Sequence, residues 1–199
     1  MCSEDTRLHQ EDIVAEELRE LFFVTANENK VREAQDILDP LGFRVRALTL
    51  RIEELQTLDA DRLVKSKALE AFDRVGRPLF VEHTGLSIPY LNDFPGGLTQ
   101  VFWDRLQADK FCQLFGATSD PSVDATTRIV YVDGAQTHLF VGRCRGTIPP
   151  EPRGDRTFQW DCVFQPEGYD ETYAEMGELK NSISMRRHAL DAFAAFLGE

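Results

Sequence analysis

The chain of 199 residues carries 34 Asp and Glu against 22 Lys and Arg, a net charge of −12, and 42% of its residues are hydrophobic. That fraction supports a sizeable core, as one large domain or as two lobes sharing a sheet, while the acidic balance excludes a nucleic-acid backbone or an anionic membrane as the main partner. Small polyphosphates stay open, because a few converging basic residues or a bridging divalent cation suffice to hold them.

Residues 1–20 form a strongly acidic N-terminal extension. Ile13, Val14, Leu18 and Leu21 at roughly helical spacing predict a short amphipathic helix there, one that covers the domain's own core in preference to docking a partner. The acidic, polar start shows no signal-peptide pattern, and no apolar run is long enough to span a bilayer. Cys2, Cys112, Cys144 and Cys162 show neither C-x-x-C pairing nor zinc-ligand spacing. Reduced thiols and a cytoplasmic location are the expectation.

The domain proper, residues 21–199, opens with LFFVTANENKVREA. The β-forming run Leu21–Val24 gives way at Thr25 to a polar turn and then to an amphipathic run, so strand, turn and helix are predicted. The first amides of such a helix lack intrahelical acceptors and sit at the positive end of its dipole. Thr25 and Asn27 can add polar donors and Lys30 a full charge, a set that suits phosphate; the same residues also make an ordinary cap with a solvated lysine. Pro40 and Gly42 end the helix, and FRVRAL over Phe43–Leu48 alternates as a strand, giving a β-α-β start. Asp59 to Phe72 reads as a second helix that carries Lys67 among small and apolar neighbours. Leu79, Phe80 and Val81 form a buried-type strand, with the polar cluster Glu82, His83, Thr84, Gly85 expected where that strand ends, facing a ligand crevice.

Residues 92–97 are a loop, and Leu98–Phe115 reads as a helix with Trp103, Leu106, Phe111 and Leu114 on its apolar side. Thr127–Val132 and His138–Arg145 predict antiparallel strands around the Asp133-Gly134 turn, with His138 facing solvent. Pro149, Pro150, Pro152 and Gly154 impose a loop over residues 146–157, and residues 180–190 open the last helix.

The ordered motifs T-A-N-E-N-K (25–30), V-E-H-T-G-L (81–86), P-G (95–96), W-D (160–161), F-Q-P-E-G-Y (164–169), T-Y-A-E-M (172–176) and K-N-S-I-S-M-R (180–186) resemble the Ham1/ITPase family from Leu21 to the end of the chain. The resemblance implies an elongated α/β fold, a mixed curved sheet with helices whose two lobes flank a nucleotide cleft, commonly as a homodimer. It implies hydrolysis of deaminated purine triphosphates (ITP, dITP, XTP) to the monophosphate and pyrophosphate with magnesium. Position by position it implies Thr25, Asn27, Lys30, Lys67, Thr84 and Gly85 on the phosphates. Glu54 and Glu82 would hold the metal, and Phe158, Trp160, Asp161, Lys180 and Arg186 would contact the base.

Three departures accompany these matches. His83 replaces the family's second acid, which removes charge and a preferred oxygen ligand for magnesium while leaving a group able to act as a general base near neutral pH. Met185 replaces a base-reading histidine, for which His188 can substitute only from the same helical face. Gln159 replaces a glycine and is expected to crowd or re-aim the base pocket. With Glu82 and His83 as the catalytic pair, two functions stay open. The preferred one is a nucleotide-binding receptor with weak or lost hydrolysis, reporting deaminated purine triphosphates to a protein effector, for example in antiviral defence. The alternative is an active magnesium-dependent pyrophosphatase.

Overall fold

The computed structural model describes residues 19–198. The helix expected in the acidic extension lies outside the described residues, except that Arg19 and Glu20 already belong to the first strand, β1 (Arg19–Val24). As the sequence predicts, β1 leads through a turn into α1 (Glu28–Leu38), and a short 3-10 turn closed by Gly42 in the left-handed region returns the chain to β2 (Phe43–Leu48). An extended segment and the Asp59 cap precede α2 (Ala60–Val75), which feeds β3 (Leu79–Ile88). The two-residue β4 (Phe94–Pro95) and α3 (Thr99–Phe115) follow, then the hairpin of β5 (Ser122–Val132) and β6 (Thr137–Thr147). A two-residue β7 (Gln165–Pro166) and three helices, α4 (Tyr173–Met176), α5 (Leu179–Ile183) and α6 (Met185–Leu197), complete the fold.

Among the described residues these strands form one mixed sheet in the order β2-β1-β3-β5-β6-β7, with β4 added on β3. Strands β1, β2 and β3 are mutually parallel, and β3, β5 and β6 are antiparallel. The β1–β3 pairing is confined to Phe23 and Phe80, whereas β3 continues beside β5 as far as Ser87. The polar cluster 82–85 therefore lies in the middle of β3, not at its end as expected from sequence. A parallel neighbour stops there, and the antiparallel partner β5 carries the strand onward.

Core residues segregate by position along the long strands. On one face, β1 and β3 pack against α1 and α6, with Phe23 stacked on Phe80 at 4.3 Å between ring centroids. On the other face α2 buries Val64, Ala68 and Ala71 against Leu79, Val81 and Val130. Farther along, Leu86, Ile88, Trp103, Phe111 and Phe164 build a separate apolar mass. Asn29 and Glu33 of α1 and Tyr173, which belongs to this last mass, line one cleft. Helix α6 approaches β6 very closely: a Cβ at Gly142 would stand 2.0 Å from the Met185 carbonyl oxygen, so only glycine fits.

Two local expectations shift. Helix α3 is broken at Gln107, where φ is 55°, and this turns its second half so that Leu114 is exposed while Cys112 and Phe115 are buried. The final helical region is interrupted at Ser184, which leaves the helical region of φ/ψ space and caps α6 by accepting from the Arg187 amide.

Candidate active site

The turn from β1 into α1 forms as local chemistry dictates. Asn27 caps α1, its Oδ1 accepting from the amides of Asn29 at 3.0 Å and Lys30 at 3.3 Å, while Thr25 Oγ1 accepts from the Asn27 amide at 3.1 Å. Two of the amides expected to face an anion are thus already satisfied within the cap. Lys30 leaves the next position and reaches Glu82 Oε1 on β3 at 3.1 Å.

Glu82 is almost fully buried and holds several partners at once. Arg186, from the first turn of α6, donates Nε to Oε2 at 2.9 Å and Nη2 to Oε1 at 3.0 Å, and the Thr84 hydroxyl donates to Oε1 at 2.9 Å. Burial by itself would raise the Glu82 carboxyl, but Arg186 and Lys30 outweigh it and hold the group far below the ordinary carboxylate range. Arg186 also bonds Glu33 on α1, and Lys180 on α5 lies 3.5 Å from Glu33 and 2.6 Å from Asp161 Oδ2. Asp161, Lys180, Glu33, Arg186, Glu82 and Lys30 therefore make an unbroken chain of alternating charge. Burying such a chain stabilises weakly, because desolvation consumes most of the attraction, so its concentration here makes this a candidate functional region.

Asp161 and Lys180 line a cleft of about 310 Å³ together with Phe158, Glu33, Asn29 and Tyr173. The Lys180 ammonium sits 4.2 Å above the centre of the Phe158 ring, a cation–π contact. Burial pushes the Asp161 carboxyl up against the opposing pull of Lys180. Trp160, expected beside the base, is instead packed in the core, edge-on against Phe164 at 5.7 Å. The short 3-10 turn that begins at Asp161 brings Asp161 to the cleft and Trp160 to the apolar interior. Gln159 does not line this cleft. It adopts φ of 44° and its amide donates to Gln100 on α3 at 2.9 Å, so the side chain turns away from the pocket it was expected to crowd. His188 is likewise removed, since its Nδ1 bonds the Arg143 carbonyl of β6. It does not stand in for the histidine that Met185 replaces.

Alternation along β3 sends His83 to the opposite face from Glu82 and Thr84. His83 is buried, and among the described residues its Nε2 has no hydrogen-bond partner. Burial, with the positive charges of Lys30, Lys67 and Arg128, outweighs the Glu54 carboxylate and pulls the imidazole down to about 4, so it is neutral at physiological pH. Lys67 reaches from α2 to Glu54 Oε1 at 2.6 Å and to the Glu82 carbonyl at 3.4 Å. Burial tends to raise Glu54 as well, yet Lys67 holds it below the ordinary value. Gly85 is required where β3 meets the loop at Gly96: a Cβ there would stand 2.7 Å from the Gly96 carbonyl oxygen.

A model of the family described as the Ham1 family matches residues 21–196. The chain belongs to the Ham1 family. It is 39% identical over 183 residues to an inosine triphosphate pyrophosphatase of Yarrowia lipolytica, covering 90% of this chain and 96% of that protein. It is 36% identical over 180 residues to a dITP/XTP pyrophosphatase of Thermococcus kodakarensis, covering 90% and 97%. Among solved structures, a HAM1 protein from Coxiella burnetii matches with a TM-score of 0.75 at 26% identity, over 90% of this chain and 98% of that one. The Staphylococcus aureus Ham1 protein, at 21% identity and a TM-score of 0.74, shares the fold.

The magnesium that the Ham1 resemblance implies fits these residues poorly. Glu82 has both oxygens on protein donors, Glu54 has Oε1 on Lys67, and the remaining group is an imidazole. Among the described residues no three His, Cys, Asp or Glu side chains come together as a metal site. The carboxylates expected to be ligands are neutralised by protein cations instead. Glu33 and Arg128 were not singled out from sequence. Glu33 could have been found from its i+3 relation to Lys30 on the same helical face, whereas nothing local marks Arg128.

Proposed function

We propose that the chain is a nucleoside triphosphate pyrophosphatase that hydrolyses deaminated purine triphosphates to the monophosphate and pyrophosphate. The observation that carries this reading is the neutral, unpartnered imidazole of His83 among Lys30, Lys67 and Arg128. It is a proton acceptor placed beside cations suited to a polyphosphate. Curated relatives matching over about nine tenths of the chain bear pyrophosphatase names, which favours hydrolysis over a receptor that only binds. Neither an effector partner nor a defence role gains support from the fold.

In this reading the base lies on Phe158, with Lys180 donating to a 6-keto oxygen. An amino group at that position sets donor against donor, so adenine nucleotides are rejected. Lys30 and Lys67 draw the phosphates toward β3. Water attacks the α-phosphorus, its proton passes to His83 Nε2, and the bond from α-phosphorus to the bridging oxygen breaks to release pyrophosphate. Glu82, saturated by Arg186 and Thr84, orients Lys30 and takes no proton.

The test is product analysis on purified protein with dITP, ITP, XTP and dATP. Pyrophosphate release from the first three, with His83→Gln slower by about 10²- to 10⁴-fold, is the expected result. Tight dITP binding without any release would return the protein to the receptor class.

A further inference from the structure

His83 pairs across the β3–β5 ladder with Arg128, so the two side chains leave the same face of the sheet. Arg128 is mostly buried and its guanidinium bonds Asp61, in the first turn of α2. Asp61 itself is about half exposed, at 49% of its side-chain surface. An ion pair with one partner in solvent is weak, so a more highly charged anion can displace the aspartate. Arg128 also lines a second cavity of about 310 Å³, with Gly85, Gly96, Leu58 and Ala60, in which Asp93 is the one acidic group among the described residues. It adjoins the imidazole: His83 Nε2 lies 3.4 Å from where a Gly85 Cβ would stand.

The charge inventory around His83 is thus unlike that of a site built around a hard dication. Lys30 and Lys67 each already answer a carboxylate, and Arg128 adds a third positive group. A divalent cation entering here meets three cations, each already paired with a carboxylate, and an imidazole in place of a third acid. A triphosphate competes with those carboxylates, and Arg128 is the cation whose partner is most exposed.

We propose that Arg128 is a phosphate-binding residue of this chain and that, with Lys30 and Lys67, it neutralises the nucleotide's phosphates where a divalent cation would otherwise be required. The guanidinium exchanges Asp61 for the phosphate oxygens that leave as pyrophosphate, in the cavity under Gly85 and Gly96. Nucleotide binding is then independent of magnesium. This inference rests on the pyrophosphatase reading, since it assumes that the polyphosphate lies along the His83 face of β3.

The experiment is calorimetric titration with the non-hydrolysable α,β-imido analogue of dITP, at matched ionic strength, in magnesium and in EDTA. Wild-type affinity is expected to differ by less than about 3-fold between the two, an energy difference under 1 kcal/mol. Arg128→Gln should weaken binding in EDTA by about 10- to 100-fold and make magnesium matter. Asp61→Asn, which frees Arg128 without touching the phosphate site, should tighten binding in EDTA, and this guards against an Arg128 variant that merely folds poorly. His83→Asp should restore magnesium dependence. A loss of 10-fold or more for the wild type in EDTA, or unchanged binding in Arg128→Gln, overturns the inference while leaving the pyrophosphatase reading intact. Failure to bind the analogue in either buffer overturns that reading instead.

Discussion

Two neighbouring residues of β3 occupy opposite electrostatic worlds. Glu82 faces α1 and α6, where Arg186, Lys30 and Thr84 satisfy both of its oxygens. His83 faces α2 and β5, where its Nε2 meets no partner and cations surround it. A saturated carboxylate is a fixed support, since any change of protonation would break several bonds together. An unpartnered neutral imidazole keeps a ring nitrogen open to a reacting group, while burial and the surrounding cations hold its proton affinity low. The difference leaves a carboxylate fixed by its bonds on one face of the strand and an imidazole nitrogen without them on the other, a division that the paired letters E-H do not reveal.

The strongest way to break this comparison is to remove the support. Arg186→Ala leaves Glu82 and Glu33 as buried charges without their main partner and should cost about 3–5 kcal/mol, read from urea denaturation. A loss under 1 kcal/mol would show that the Glu82 face is not held by charge.

The second prediction separates the faces by pH. His83 falls from its ordinary 6.5 to about 4 in the folded chain, so between those values the unfolded chain binds a proton that the folded chain refuses. Its contribution is complete above pH 6.5 and is lost as the pH falls toward 4, by roughly 3 kcal/mol. His83→Gln should flatten stability across that window. Glu82, held far below its ordinary value, contributes stability that disappears only at more acid pH, so the variant should retain the acid limb.

The smallest effect concerns the base end. Gln159 adopts a positive φ in place of the family's glycine, and Gln159→Gly should stabilise by no more than about 1 kcal/mol, after the loss of its bond to Gln100 and the greater freedom of glycine in the unfolded chain. Thermal denaturation would read this as a small rise in Tm with dITP turnover unchanged. A clear change in turnover would mean that residue 159 shapes the pocket after all.

Much of the fold was legible in the chain. Strand, turn and helix over residues 21–38, the cap at Asn27, the α2 and α3 segments and the Asp133-Gly134 hairpin follow from local hydrophobic period and turn chemistry, which act over a few residues. Motif order identified the family. Less visible was the break at Gln107, set by how α3 meets the apolar mass below it, and the burial of Trp160, which depends on which side of a tight turn faces the core.

The sequence by itself determined the secondary elements, the family and the kinds of group that reach the cleft. Only the tertiary structure decided their protonation and partners, because those depend on residues far apart in the chain. Glu33 and Arg186 are 153 positions apart yet share a hydrogen bond, and His83 owes its neutrality to burial and to cations from α1, α2 and β5. Electrostatic work grows as charges approach and leave water, so a residue's chemistry is fixed only when folding sets its neighbours and its dielectric.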